Sequence, residues 1–383
     1  MKPSSVSSKA PGKVIKTLKG YYTYIPNPLP PKIIWSNDLV FLLADVGSSL
    51  VRLEEAGKFI PVPQGVIQPI VRKEAVFSSQ IEGTQTSFQN LYRYEAGQTT
   101  FLEQVTDIQE VKRYGEALNY GVERIKTLPI SMRLMKEMHA ILFTGGEGSH
   151  STPGEFRQTQ NWIGRPGATL MNARYIPPPV NEMQHSLADL EKYIHTDSDL
   201  PEIIRVALIH YQFEAIHPFL DGNGRIGRLM IPLLLINWGV LSQPLLNLSV
   251  FIEKNRTEYY DRLLAVSQKG QWQEWLLFFL QGVKEQANDM ILKLNAIQSY
   301  RVAVQRIISV DRLKKKLTKV VDYFISTPIS SVTQAVEKTK LGNFSTMQRY
   351  FDRLGAYGVL REISGGQRNR IYQADEILKI LEN

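Results

Sequence analysis

Between Thr144 and Pro179 no long helix can form, because Gly145, Gly146, Gly148, Pro153, Gly154, Gly164, Pro166, Gly167 and the prolines at 177–179 break one repeatedly. Within this interval Asn161-Trp162-Ile163 and Arg174-Tyr175-Ile176 read as the two short strands of a hairpin. On both sides of it, apolar residues recur at helical spacing. The fold class expected is therefore mainly α, two helical stretches separated by one β-hairpin.

Ser36-Asn37-Asp38 supplies cap chemistry for a helix over Leu39–Glu55 that Gly57 closes. A second helix is expected over about 67–83, with Pro69 in its first turn and Gly83 as its stop. Ile70, Phe77 and Ile81 form its core stripe, and Ser78 and Glu82 are i, i+4 neighbours on another face. Helical patterns follow at 107–126, 131–143, 183–196, 202–213, 226–238, 256–267 and 272–301. From Leu313 three short helices precede strand-like 359–363, Gly365-Gly366 and Arg370-Ile371-Tyr372, the order of a winged helix. The expected division is a basic flexible tail (1–20), an N-terminal helical region (21–125), a helical core (126–300) and a small α+β winged-helix-like domain (301–383).

At 383 residues with 43% hydrophobic and 21% charged side chains, the chain is globular and long enough for several domains. It has no cysteine, which excludes disulfides, thiolate nucleophiles and Cys-bound metal centres and suits a reducing interior. No secretory signal is visible at the N-terminus, and the greasiest stretch, Leu229–Ile252, is interrupted by Pro232, Asn237, Gly239 and Pro244. The expectation is a cytoplasmic protein with no membrane partner. The net charge of +8 is uneven: residues 1–20 carry +5 and 301–383 carry +7, leaving the body mildly acidic. Basic ends of this kind can contact nucleic acid through phosphates.

The string from His217 to Arg228, His-Pro-Phe-Leu-Asp-Gly-Asn-Gly-Arg-Ile-Gly-Arg, carries the chemistry. Pro218 stops the preceding helix, and Asp221-Gly222-Asn223-Gly224 tolerates positive φ, so a loop leads into a new helix whose first amides and dipole cradle an anion. Arg225 and Arg228, three residues apart, can both reach that anion. Asp221 is a hard-oxygen ligand beside phosphates, the usual setting for Mg²⁺. His217 is placed to take a proton from an incoming hydroxyl.

This string resembles the motif of the Fic family, His-Pro-Phe-x-Asp/Glu-Gly-Asn-Gly-Arg-x-x-Arg, with every defined position filled. The resemblance implies a Fic helical core, ATP and Mg²⁺ as cofactors, and transfer of AMP from ATP to a Ser, Thr or Tyr hydroxyl of a protein, which could include the chain itself. By the same resemblance His217 is the general base and Asp221 the Mg²⁺ ligand. Gly222, Asn223, Gly224 and Gly227 belong to the phosphate loop, with Arg225 on the β-phosphate and Arg228 on the γ-phosphate. Pro153–Arg157, Asn161–Gly164 and Tyr175–Pro178 resemble the family's flap, in which Asn161, Trp162, Ile163, Tyr175 and Ile176 would align a target segment by strand addition. Asn255, Tyr259 and Tyr260 resemble the adenine-pocket stretch.

Ser78-Ser-Gln-Ile-Glu82-Gly83 matches a second family pattern, borne on an inhibitory helix. It implies that Glu82 competes with the γ-phosphate for the Arg228 guanidinium, with Ser78 steadying the Glu82 carboxylate or its neighbourhood. Two competing readings stand beside AMP transfer. One is removal of AMP by the same site, with Glu82 positioning a water. The other is a DNA-binding regulator, or a protein-binding one, acting through the C-terminal domain and its Arg349, Arg353, Arg368 and Arg370.

Overall fold

The computed structural model describes residues 6–58, 63–98, 102–144, 152–165, 167–365 and 369–382. Gly145, Gly146, Gly148, Pro166, Gly366 and Arg368, used above, lie outside the described residues. Two strands, β1 (Gly12–Lys16) and β2 (Tyr22–Pro26), pair antiparallel at the start of the chain. Then come α1 (Asn37–Lys58), α2 (Pro63–Glu82), α3 (Phe88–Glu95), α4 (Leu102–Arg124) and α5 (Met132–Leu142). After the glycine-rich interval follow α6 (Val180–His195), α7 (Glu202–Ile216), α8 (Asn223–Asn237), α9 (Leu248–Lys254), α10 (Arg256–Lys269) and α11 (Trp272–Ile307). The centre is the pair α7 and α8, buried on nearly every side, as a helix apolar all round must be. No helix among the described residues is long and apolar enough to cross a membrane.

The last segment comprises α12 (Lys314–Ser326), β3 (Ile329–Ser331), α13 (Val332–Thr339), α14 (Phe344–Ala356), β4 (Arg361–Glu362), β5 (Ile371–Gln373) and α15 (Asp375–Glu382). Its antiparallel sheet has the order β3-β5-β4, which completes the expected winged-helix pattern. Arg353 pairs with Asp311, Arg361 with Asp375, Arg370 with Glu362 and Lys379 with Glu376.

Helix α2 is held on two faces. One packs on α4, α8 and α9, the other on α12. Lys73 donates to the carbonyls of Leu381 (2.6 Å) and Glu382 (3.2 Å) at the end of α15. Nine residues separate Lys73 from Glu82, which at about 100° per residue sets them on opposite sides of the helix.

Three expectations are corrected. Within the expected flexible tail, residues from Ser7 on are packed: the Ser7 amide donates to Gln268 O (2.7 Å), Val14 packs against the core, and β1 lies close enough to β2 that a Cβ on Gly12 would come 2.4 Å from Ile25 O. Five residues of Gly-Lys-Val-Ile-Lys are too few to show a period. Helix α2 starts before Pro69, which sits inside it as its seventh residue; it lies past the four amides that are unpaired at any helix start and so removes one helical hydrogen bond. The flap hairpin is closed by a single bridge, Ile163 to Tyr175, not a ladder.

Candidate active site

Helix α7 ends where His217 adopts the left-handed conformation φ 51°, ψ 61°, and the proline that follows disfavours the right-handed helix at this position. A non-glycine residue there is strained and persists only when its surroundings over-determine it. Here the His217 carbonyl accepts from Arg157 Nε (3.0 Å) and Asn161 Nδ2 (3.3 Å). The Asn223 side chain closes the loop, accepting from the Phe219 amide (2.8 Å) and donating to its carbonyl (2.9 Å). Gly222, at φ +77°, caps α8, and a Cβ on it would lie 2.7 Å from the Phe143 ring. The amides of Asn223, Gly224 and Arg225 precede the first helical bond, from the Ile226 amide to Gly222 O, and so remain available to an anion. Asn223 thus serves the cradle through its main chain, while its side chain holds the loop.

Burial, reinforced by the Arg157 charge, lowers the His217 pKa to about 4, so the ring is neutral at physiological pH. Neutral imidazole can accept a proton. Asp221 has a side chain 61% exposed; its Oδ1 accepts the Gly222 amide (2.6 Å) and lies 3.5 Å from Arg225 Nη2. Its other oxygen has no hydrogen-bond partner among the described residues. A carboxylate oxygen so placed beside the first amides of α8 fits Mg²⁺ held by a single protein ligand, nucleotide phosphates and water. No group of three or more metal-ligating side chains occurs among the described residues.

Arg225 is buried, donates to Glu110 (3.2 Å) and lies over the Phe143 ring (4.9 Å). Glu110, on α4, belongs to no sequence pattern, and nothing in the sequence marked it. Arg228 is only 1% exposed in its side chain and bonds three acceptors on α2: Ser78 Oγ (2.8 Å), Ser78 O (3.0 Å) and Glu82 Oε1 (2.6 Å). Ser78 therefore steadies the guanidinium and not the carboxylate. Burial alone would raise the Glu82 pKa, but Arg228 outweighs it and holds Glu82 below the ordinary carboxylate value. Gly224 makes room for the pair, since a Cβ there would meet Glu82 Oε1 at 2.4 Å. Gly83, at φ +119°, releases the chain from α2 directly after Glu82.

Gly227 serves packing. A Cβ on it would stand 2.2 Å from Glu214 Oε1, a buried oxygen without a hydrogen-bond partner. Burial pushes the Glu214 pKa up to about 8. Its carboxyl is mostly protonated at neutral pH and leaves Glu82 as the ionised partner of Arg228.

The flap residues divide. Asn161 is buried under the loop between α7 and α8, where Nδ2 donates to Phe219 O (2.8 Å). Tyr175 and Ile176 are also buried; the Tyr175 hydroxyl donates to Ala215 O (2.7 Å), and Ile176 O accepts from the Tyr24 amide of β2 (2.9 Å). Trp162, 42% exposed, is the most open of the five. Tyr259 is 1% exposed and bonds His210 (2.8 Å), so it belongs to the core beneath the site. Tyr260 is only half-buried, and Asn255 donates to Phe251 O (2.9 Å).

A left-handed histidine closing one buried helix, an amide cradle opening the next, and an arginine reached by a separate helix define a Fic-type helical domain. Residues 40–123 match the Fic/DOC family N-terminal sequence model and residues 129–235 match that of the Fic/DOC family. The chain belongs to the Fic/DOC family. Over 216 residues it is 26% identical to "Protein adenylyltransferase Fic" of Drosophila grimshawi, covering 54% of this chain and 41% of that protein. It thus spans about two-fifths of the length of the curated relatives it matches. A Fic family protein from Desulfovibrio desulfuricans shares the fold over 90% of this chain and 98% of its own, at TM-score 0.57 and 18% identity. A Fic-1 fragment from C. elegans does so over 68% and 74%, at TM-score 0.53 and 20% identity.

Proposed function

We propose that this protein transfers AMP from ATP to a Ser, Thr or Tyr hydroxyl of a target protein, and that Glu82 restrains it. The target oxygen attacks the α-phosphorus while His217 takes its proton. The new O–P bond forms as the bond from the α-phosphorus to the bridging oxygen breaks, and pyrophosphate leaves. The unpaired amides of α8 and Arg225 would hold the phosphates, and Arg228 the terminal one. Mg²⁺ bound at Asp221 would neutralise charge on the α- and β-phosphates.

The observation that carries the reading is the Arg228–Glu82 contact of 2.6 Å, which joins the phosphate-loop helix to α2 across 146 residues. The relatives named protein adenylyltransferase Fic support the chemistry. In the flap, Trp162 is the candidate contact for the target segment, and Tyr260 and Asn255 are the candidates for adenine. The proposed setting is a reducing cytoplasm, supported by the absence of cysteine.

Intact mass after incubation with ATP, Mg²⁺ and a cell extract tests the activity. Glu82→Gly is expected to label itself or a partner with AMP, and Glu82→Gly/His217→Ala is expected not to. Absence of label from both rejects AMP transfer.

A second reading concerns the C-terminal domain. Arg312, Lys314, Lys315, Lys316 and Lys319 are all exposed at the start of α12, with no acidic partner among the described residues. They support a nucleic-acid contact, which should weaken steeply with salt. No duplex shift at low salt would reject it.

A further inference from the structure

His139, on α5, is absent from both sequence patterns, yet it ties the two loops of the site together. Its side chain is buried, with the residue 1% exposed, and its ring stacks on Phe219 at 3.9 Å and 6° and lies 4.7 Å from Phe143. The Gly154 amide donates to Nδ1 (2.9 Å), so Nδ1 is the acceptor. Nε2 then carries the hydrogen and donates to the Asp221 carbonyl (3.1 Å). One ring thus joins Gly154 to Asp221, itself 82 positions from His139.

The Asp221 carbonyl and the Gly222 amide are opposite ends of one rigid peptide plane. His139 holds the carbonyl end, and the amide end donates to Asp221 Oδ1 (2.6 Å). Turning that plane over would break both bonds at once. Gly222 allows the arrangement, since any Cβ there would meet Phe143 at 2.7 Å and His139 Nε2 at 3.5 Å.

We infer that His139 is a positioning residue for the reaction: through the 221–222 peptide it aims the Asp221 carboxylate and the first amides of α8 at the nucleotide. The inference rests on the proposed role of Asp221 toward Mg²⁺. A ring sandwiched by two phenylalanines could instead serve packing alone, and two substitutions separate these roles. His139→Phe keeps the stacking and loses both hydrogen bonds. His139→Gln keeps an acceptor and a donor and loses the stacking.

The test is calorimetric titration of the full chain with ADP, with and without Mg²⁺. Loss of a group that orients a metal ligand typically costs about 10- to 100-fold in metal affinity or activity. His139→Phe should therefore raise the half-saturating Mg²⁺ concentration by about tenfold while metal-free ADP binding changes by less than about twofold. His139→Gln should stay close to wild type. Wild-type behaviour of His139→Phe together with impairment of His139→Gln would overturn the inference in favour of packing.

Asp221→Ala is the control. If it leaves the Mg²⁺ dependence unchanged, the role of Asp221 fails. If it shifts the dependence and His139→Phe does not, only the positioning role fails. Should neither His139 variant fold, nitrogen NMR of the wild-type ring decides: hydrogen on Nε2 is expected, and hydrogen on Nδ1 would overturn the inference.

Discussion

Replacing Glu82 by glycine removes one contact from a buried arginine and adds no chemical group to the site. In this structure Arg228 has three hydrogen bonds, two to Ser78 and one to Glu82. Only the last is lost in Glu82→Gly, so Arg228 stays oriented toward the loop. A hydrogen bond to a charged group is worth about 1.5 to 3 kcal/mol, hence about 10- to 150-fold in the fraction of Arg228 open to a γ-phosphate. The substitution falls on the last residue of α2, beside Gly83, where a second glycine costs the helix at most about 1 kcal/mol. The assay is AMP incorporation from ATP labelled on its α-phosphate, run at saturating ATP and Mg²⁺. Arg228→Ala added to Glu82→Gly should cancel the gain, a non-additive result expected of two residues sharing one interaction. Affinity for ADP, which lacks the γ-phosphate, should change little. Glu82→Gln should give partial relief, because its amide oxygen still accepts from Arg228 without the charge. Equal incorporation by wild type and Glu82→Gly would refute the competition and leave Glu82 as a helix-end residue or as the water-positioning group of an AMP-removing enzyme.

In the Glu82→Gly background His217→Ala should lower the rate by about 10²- to 10⁴-fold with ATP affinity retained, and an undiminished rate would remove His217 as the base. Because burial lowers the His217 pKa to about 4 from 6.5, the neutral ring that a general base requires persists to low pH. Activity should fall only as pH drops through about 4, and a kcat/KM limb near 6.5 would contradict a buried base. Mild acid should not release the brake, since Arg228 holds Glu82 ionised below its ordinary range; activation of wild type between pH 7 and pH 5.5 would count against the pair. Gly227→Ala drives a methyl against Glu214 and should destabilise by about 1 to 3 kcal/mol in urea, with Glu214→Ala restoring much of the loss; additive effects would place the strain elsewhere.

The sequence by itself determined what neighbouring residues impose on one another. Pro218 after His217, the Asp-Gly-Asn-Gly turn, the Gly83 stop and the glycines and prolines of 144–179 act within a few bonds, so helix ends and the loop between α7 and α8 were legible from them. The winged-helix order was legible too, because each of its elements carries its own period or turn signal. Glu82 and Arg228 were paired in advance only because both stand in patterns of the Fic family; spacing alone could not join residues 146 apart. The tertiary structure alone decided that Ser78 serves the guanidinium, that Glu110 holds Arg225, that Arg157 and Asn161 brace the His217 carbonyl, that His139 reaches Asp221 and that Tyr259 lies in the core. Each of these is a single contact between one residue and another on a distant element. A lone contact leaves no periodicity in a chain, and it exists only once the packing of apolar faces has brought the two elements together.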